Sequence, residues 1–262
     1  MPRARTNNLP MSTNPASNPS SESSGASVPT AGSPSTGANG AGRSHAGMSA
    51  PPARAEHEIR ARSIAKYATR AARYDRTTGP TTPIRRRTIE ALRLQPGQSV
   101  LDVGCGTGLS LPLLLERVGP QGRVYGCDQS PDMLRQAEAR AAQAGWLNVW
   151  VFETAAQDLH LPEPVDAMLF HYAHDILRST VALDALLAQA RPGAMVAVAG
   201  IKYFSGLLRP LNPWVYWKNS GYNGAPGELQ SPWDRLAPRL QDWSMTESQW
   251  GMGYIGVGRV PG

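Results

Sequence analysis

In the middle of the chain, apolar residues come in short runs bounded by turn residues: Val100-Leu101-Asp102-Val103, Val124-Tyr125-Gly126-Cys127, Val149-Trp150-Val151-Phe152, Val165 to Phe170, and Ala194 to Ala199. Between them, Leu109–Val118, Pro131–Ala144 and Thr180–Ala190 read as helices, and a further helix over Pro83–Leu92 precedes the first run. Short apolar runs of this kind predict buried strands. Strands alternating with helices build a parallel sheet covered on both faces. Two last runs, near Trp243–Trp250 and Tyr254–Val260, predict a closing hairpin, and a short helix is expected near Trp233–Leu240. Gln95-Pro96-Gly97 and Arg191-Pro192-Gly193 mark turns ahead of strands, and Ser130-Pro131-Asp132 predicts an N-cap with proline at the first helical position.

The first strand runs into Gly104-Cys105-Gly106-Thr107-Gly108. Side-chain-free positions after a strand let backbone N–H groups approach a ligand. A dinucleotide fingerprint needs Gly-x-Gly-x-x-Gly, yet Leu109 stands where the third glycine belongs. Pyrophosphate binding is therefore disfavoured. Asp102, a carboxylate inside the strand before the turn, suits a cofactor with an ammonium group and no phosphate. Asp128, at the end of the second run, is placed to accept hydrogen bonds from ribose hydroxyls.

In this order of motifs the chain resembles the class I S-adenosylmethionine-dependent methyltransferases over roughly residues 84 to 260. It is most similar in look to the ubiquinone and menaquinone methyltransferase-like group. The resemblance implies a Rossmann-like, doubly wound, seven-stranded α/β sheet, mostly parallel with one antiparallel strand and helices on both faces. It implies S-adenosyl-L-methionine as cofactor, with Asp102, Gly104, Cys105, Gly106 and Gly108 at its methionine half and Asp128 at the ribose. Gln129 and Met133 then flank the adenine. Ala155-Ala156-Gln157-Asp158-Leu159 is similar to the family's Asp-Ala-Glu-Asp-Leu stretch, which places Ala156, Gln157 and Asp158 beside the adenine; Ala155 and Gln157 replace acids, leaving Asp158 as the adenine contact. Phe170 belongs to the fourth-strand motif whose end faces the transferred methyl, and Tyr74-Asp75 resembles the group's Tyr-Asp that closes over the cofactor.

Composition changes the domain picture. Residues 1–54 are mostly Ser, Pro, Gly, Ala, Asn and Thr, cannot bury a core, and are expected to be disordered. The methyltransferase domain is then residues 55–262, with N-terminal lid helices over 55–95 and a substrate cap over 202–240. The tail's four arginines against Glu22 hold half of the +6 net charge, so nucleic acid is not indicated as a partner. An Arg- and Ser-rich, acid-poor tail has the composition of a transit peptide. Without a visible amphipathic helix, a dispensable tail or a true start at Met48 is the preferred reading. No run approaches the roughly 18 apolar residues of a membrane span, and the N-terminus lacks the roughly 7–15-residue apolar stretch of a secretory signal, so a cytoplasmic protein without stable membrane insertion is expected. Cys105 and Cys127 lack CxxC spacing or histidine partners, and neither a disulfide nor a metal is indicated. Ala55–Arg73 reads as a basic amphipathic helix, and Arg85, Arg86 and Arg87 extend its basic surface.

Methyl transfer from a sulfonium needs alignment first and a base only where the nucleophile must lose a proton. His171 and His174 are the candidate bases, at the strand end where such sheets place ligands. The fourth strand lacks the Asp/Asn-Pro-Pro-aromatic signature of base and glutamine amino methyltransferases, and no Pro-Cys nucleophile is present. Tyr203, Phe204, Trp214, Tyr216, Trp217, Tyr222 and Trp233 predict a cap over an apolar or aromatic small molecule. A phospholipid or amine N-methyltransferase acting at a membrane surface is the competing enzyme reading, and a cofactor-binding scaffold subunit the non-enzyme one.

Overall fold

The computed structural model of the chain describes residues 4–5, 81–219 and 226–262. The expected helix over 55–73, Tyr74 and Tyr222 lie outside them, as does the tail apart from Ala4 and Arg5. Helix α1 (Thr82–Ala91) leads into strand β1 (Ser99–Val103), followed by α2 (Leu111–Val118), β2 (Arg123–Asp128), α3 (Pro131–Gln143) and β3 (Val149–Glu153). After a 3-10 turn at Ala156–Asp158 come β4 (Val165–His171), α4 (His174–Leu177), α5 (Thr180–Leu187) and β5 (Ala190–Ile201). A 3-10 segment, Gly206–Leu211, continues into α6 (Asn212–Asn219), and the chain closes with β6 (Gln241–Ser248) and β7 (Gly253–Arg259).

The strands lie in the order β3-β2-β1-β4-β5-β7-β6, and a two-residue strand, Ala4–Arg5, pairs antiparallel with the outer edge of β3. β1 to β5 are mutually parallel, and β7 runs antiparallel to both β5 and β6. This is the expected mixed seven-stranded sheet. The chain order reverses about β1 and β4, so a crevice opens beyond their C-terminal ends.

Both faces of the central strands are buried, which is why β1, β2, β4 and the second half of β5 read as nearly unbroken apolar runs, whereas the edge strand β6 is largely exposed and polar. Ile89, Leu92, Leu111, Leu114, Val118, Leu134 and Ala137 carry α1, α2 and α3 onto one face with Val100, Ala167 and Leu169. Leu177, Ala182, Leu183 and Leu186 cover the other with Leu101, Val103, Met168 and Phe170. Each leucine, valine, isoleucine, methionine or phenylalanine among them, once fully buried, contributes about 1.5–3 kcal/mol. The two-residue alternation puts Asp102 and His171 on the face of Val100 and Leu169, beneath α1 and α2. At the opposite ends of the strands Asp166 accepts hydrogen bonds from the Ser99 N–H at 2.8 Å and the Ser99 hydroxyl at 3.0 Å, tying the starts of β1 and β4 together.

Two local expectations change. Ser130 is an N-cap in backbone only: its hydroxyl caps nothing, and its N–H instead donates to Asp128 at 2.8 Å. The helix expected near Trp233–Leu240 is a pair of turns ending in a 3-10 stretch, Ala237–Arg239. Pro238 lacks the N–H that a helix there would use.

Candidate functional site

The turn after β1 needs its glycines for two different reasons. Gly104, Gly106 and Gly108 all have positive φ, at 68°, 56° and 78°. At Gly108 a Cβ would stand 2.7 Å from Leu111 Cδ1 and 3.1 Å from Ala137 Cβ, so this glycine serves the packing of α2 and α3. At Gly106 a Cβ would meet nothing within 4 Å. The absent side chain there leaves open space above the strand end, as a ligand cradle requires.

Near that space lies a small open cleft lined by Arg85, Asp102, residues 104–107, Leu109, Ser110 and His171. Arg85 reaches it from α1. Although it opens a run of three arginines, it is only 7% exposed, and its Nη1 donates to Ser110 Oγ at 2.6 Å. Asp102 is fully buried, and its Oδ2 has no hydrogen-bond partner. Burial pushes the Asp102 carboxyl from its ordinary 3.8 up to about 7, against the opposing pull of the Arg85 charge and the Ser110 hydrogen bond. The cleft thus brings together a buried carboxyl with one bare oxygen and the Arg85 guanidinium, groups of opposite charge suited to a ligand with both an ammonium and a carboxylate.

Asp128 ends β2 beside this cleft. Its Oδ2 accepts the Gly106 N–H at 3.0 Å and its Oδ1 the Ser130 N–H at 2.8 Å. Burial raises its pKa and these backbone donors pull it down. The Gln129 backbone N–H adds a third donor, and a carboxylate has about four acceptor sites, so Asp128 retains capacity for a hydroxyl. Past the end of β3, Thr154 N–H donates to the Asp128 carbonyl, setting Ala155–Asp158 alongside. In that stretch Ala156 is buried, Gln157 and Asp158 are exposed, Gln129 is half-buried and Met133 is buried at the start of α3.

The candidate bases separate. His171 forms part of the cleft wall, with its Nε2 unpartnered, and burial together with the nearby Arg85 charge holds its pKa well below 6.5. His174 is packed behind β5: its Nε2 accepts the Ile201 N–H at 3.4 Å, its ring fills the space beside Gly200, and burial lowers its pKa to about 4. Phe170 points to the opposite face of the sheet, fully buried in the core, and does not line the cleft. Cys105 lines it, but its side chain fills the space left by Gly126, and burial raises its pKa well above 9.0, so it packs as a small neutral residue. Of the cap aromatics, Trp233 meets Tyr254 edge-on at 4.7 Å, while Trp214 and Trp217 face outward, 48% and 74% exposed.

Sequence reasoning overlooked Arg85 and Ser110. A signal existed for the first: Arg85 stands three and four residues before Thr88 and Ile89, on the buried face of α1.

A family model described as a methyltransferase domain matches residues 100–193. Over 68 residues, or 26% of the chain, it is 40% identical to the aklanonic acid methyltransferase DauC of Streptomyces sp. (strain C5), of which that stretch is 31%. Over 79 residues, or 30% of the chain, it is 35% identical to a demethylmenaquinone methyltransferase of Listeria monocytogenes, of which that stretch is 33%. The matches thus span about a third of the length of these relatives. Among solved structures, the complex between the Haloferax volcanii Trm112 methyltransferase activator and a methyltransferase gives a TM-score of 0.58 at 17% identity, over 76% of this chain and 97% of that one. That likeness is one of fold.

Proposed function

We propose that the chain, whose residues 100–193 match a methyltransferase-domain model, is an S-adenosylmethionine-dependent methyltransferase that moves a methyl group to an apolar or aromatic small-molecule acceptor. The observation that carries this reading is the unpartnered Asp102 Oδ2 facing a cleft that also holds Arg85 and the open space over Gly106. Asp102 takes the ammonium of the cofactor's amino-acid end and Arg85 its carboxylate, while Asp128 accepts from the ribose diol. Gln129, Met133, Ala156 and Asp158 border the adenine. A small-molecule acceptor accords with the names of two relatives, which refer to aklanonic acid and demethylmenaquinone.

When bound, S-adenosylmethionine supplies a methyl on a sulfonium, already activated for displacement. The chain's task is alignment and exclusion of water, and positioning alone can lower such a barrier by about 7–11 kcal/mol. His171 stays neutral at physiological pH, and its low pKa makes it a weak base. Its role is to hold an acceptor hydroxyl at Nε2 and orient the oxygen lone pair along the line of attack. His174, bonded to the backbone of β5, keeps the strand end in place.

The test is full-length protein with S-adenosylmethionine and a panel of phenols, quinols and amines, read by release of S-adenosylhomocysteine. Turnover confined to an apolar phenol or quinol is expected. Protein that binds S-adenosylhomocysteine yet turns over no acceptor would count against the enzyme reading, and turnover of hydrophilic amines alone against the acceptor class.

A further inference from the structure

Between β5 and the closing hairpin the chain exposes apolar side chains that the cleft does not use. Leu207 is 99% exposed, Trp217 74%, and Leu208, Leu211 and Trp214 each close to half. The segment is held in place from beneath. Val215 is fully buried, the Asn212 side chain accepts from and donates to the Phe204 backbone at 2.8 and 3.2 Å, and Asn219 Nδ2 donates to the Val215 carbonyl at 2.8 Å. Leu207, Leu211, Trp214 and Lys218 follow one another at helical spacing on the outward side. The turn between β6 and β7 adjoins the segment, since Ser205 donates to Glu247 and Gly251 lies against Phe204. That turn carries Trp250, 94% exposed.

Isolated exposed leucines need no explanation, but several large apolar side chains on one short segment mark a contact surface. Charge narrows the partner. Arg209 and Lys218 are exposed at the rim of the segment, and the sequence from Tyr203 to Gly227 contains no Asp or Glu. Leucine and tryptophan bordered by Arg and Lys, with the one acid at their edge, Glu247, paired to Lys202 at 2.7 Å, match an anionic lipid surface, whose headgroups take the cations and whose acyl boundary takes the rings. No helix among the described residues is long and apolar enough to cross a membrane.

We propose that Gly206–Lys218, with Trp250 beside it, docks the protein on anionic lipid surfaces. This does not depend on the chemistry of the cleft. The experiment is co-sedimentation of the full-length chain with vesicles of phosphatidylcholine alone and of phosphatidylcholine with phosphatidylglycerol. Binding is expected to the anionic vesicles, to weaken with added salt, and to fall about tenfold or more in the triple variant Leu207→Ser, Leu211→Ser, Trp217→Ser. Unchanged melting temperature and S-adenosylhomocysteine affinity verify that the variant is folded. As a readout that needs no variant, lipids brominated in the acyl chain should quench the tryptophan fluorescence of the unsubstituted protein.

Three results would overturn the proposal: no sedimentation with anionic vesicles, no quenching by brominated lipid, or equal binding by the triple variant, which would move the contact to another surface. A wild-type dimer in light scattering that the triple variant converts to monomer, without vesicle binding, would assign the face to a second copy of the chain.

Discussion

Replacing Asp102 by Asn should make the ligand-free protein more stable and the cofactor complex weaker. In the folded protein the carboxyl is held at about 7 against an ordinary 3.8. At about 1.4 kcal/mol per pH unit, keeping it ionised in the fold costs about 4 kcal/mol. The pKa is raised on folding, so the unstrained, protonated form dominates below 3.8 and stability is lost as pH climbs from there through about 7. Asn copies the neutral carboxyl in size and charge. Allowing for relaxation around the charge, we expect a gain near half the full figure, about 2 kcal/mol at pH 8, or about 4–8 °C in Tm for a domain of this size. The gain should shrink as pH falls toward 5 and vanish only below about 3.8, where the carboxyl is neutral in both the folded and the unfolded chain. Cofactor affinity should move the other way. The ammonium loses a charge-assisted partner worth about 1.5–3 kcal/mol, tenfold or more in Kd. Differential scanning calorimetry across pH 5–8 and titration with S-adenosylhomocysteine read the two effects. A variant less stable than wild type at pH 8, or of unchanged affinity, would refute the reasoning.

Asp128→Ala should weaken S-adenosylhomocysteine binding by about tenfold or more through loss of the ribose acceptor, with calorimetry as the check. Arg85→Met should weaken binding of S-adenosylhomocysteine but leave methylthioadenosine, which lacks the amino-acid end, bound as before; equal losses for both ligands would show that Arg85 does not meet the carboxylate. Gly108→Ala should cost about 1–3 kcal/mol of stability from overpacking against Leu111 and Ala137, seen in denaturant unfolding. Gly106→Ala should lose affinity, because its Cβ enters the open space over the strand end, and should also lose stability from the strain of a side chain at a φ of 56°, the two read by calorimetric titration and denaturant unfolding.

What was legible in the sequence is what short-range pattern records. The strand runs are continuous because both sheet faces are covered, and the glycine turn and Asp128 stand at strand ends whose positions the runs define. What the pattern hid depends on the rotation of one element against another. Arg85, Arg86 and Arg87 look alike in sequence, and only the docking of α1 over the sheet turns the first inward while the others stay exposed. His171 and His174 differ by one helical step, yet strand alternation puts one in the cleft wall and the start of α4 puts the other behind Gly200. Phe170, one residue before His171, therefore faces the opposite core. The outward turn of Trp214 and Trp217 likewise follows from Val215 and Asn219 facing inward, which an aromatic-rich composition does not encode.

The central claim is that the cleft at Asp102 and Arg85 holds the amino-acid end of S-adenosylmethionine. It is tested most directly by titrating the full-length protein calorimetrically with S-adenosylmethionine at pH 6 and pH 8. Binding that tightens toward pH 8 as Asp102 ionises, and that loses this pH dependence in Asp102→Asn, is the predicted result. Absence of binding at either pH, or binding indifferent to both pH and the substitution, would contradict it.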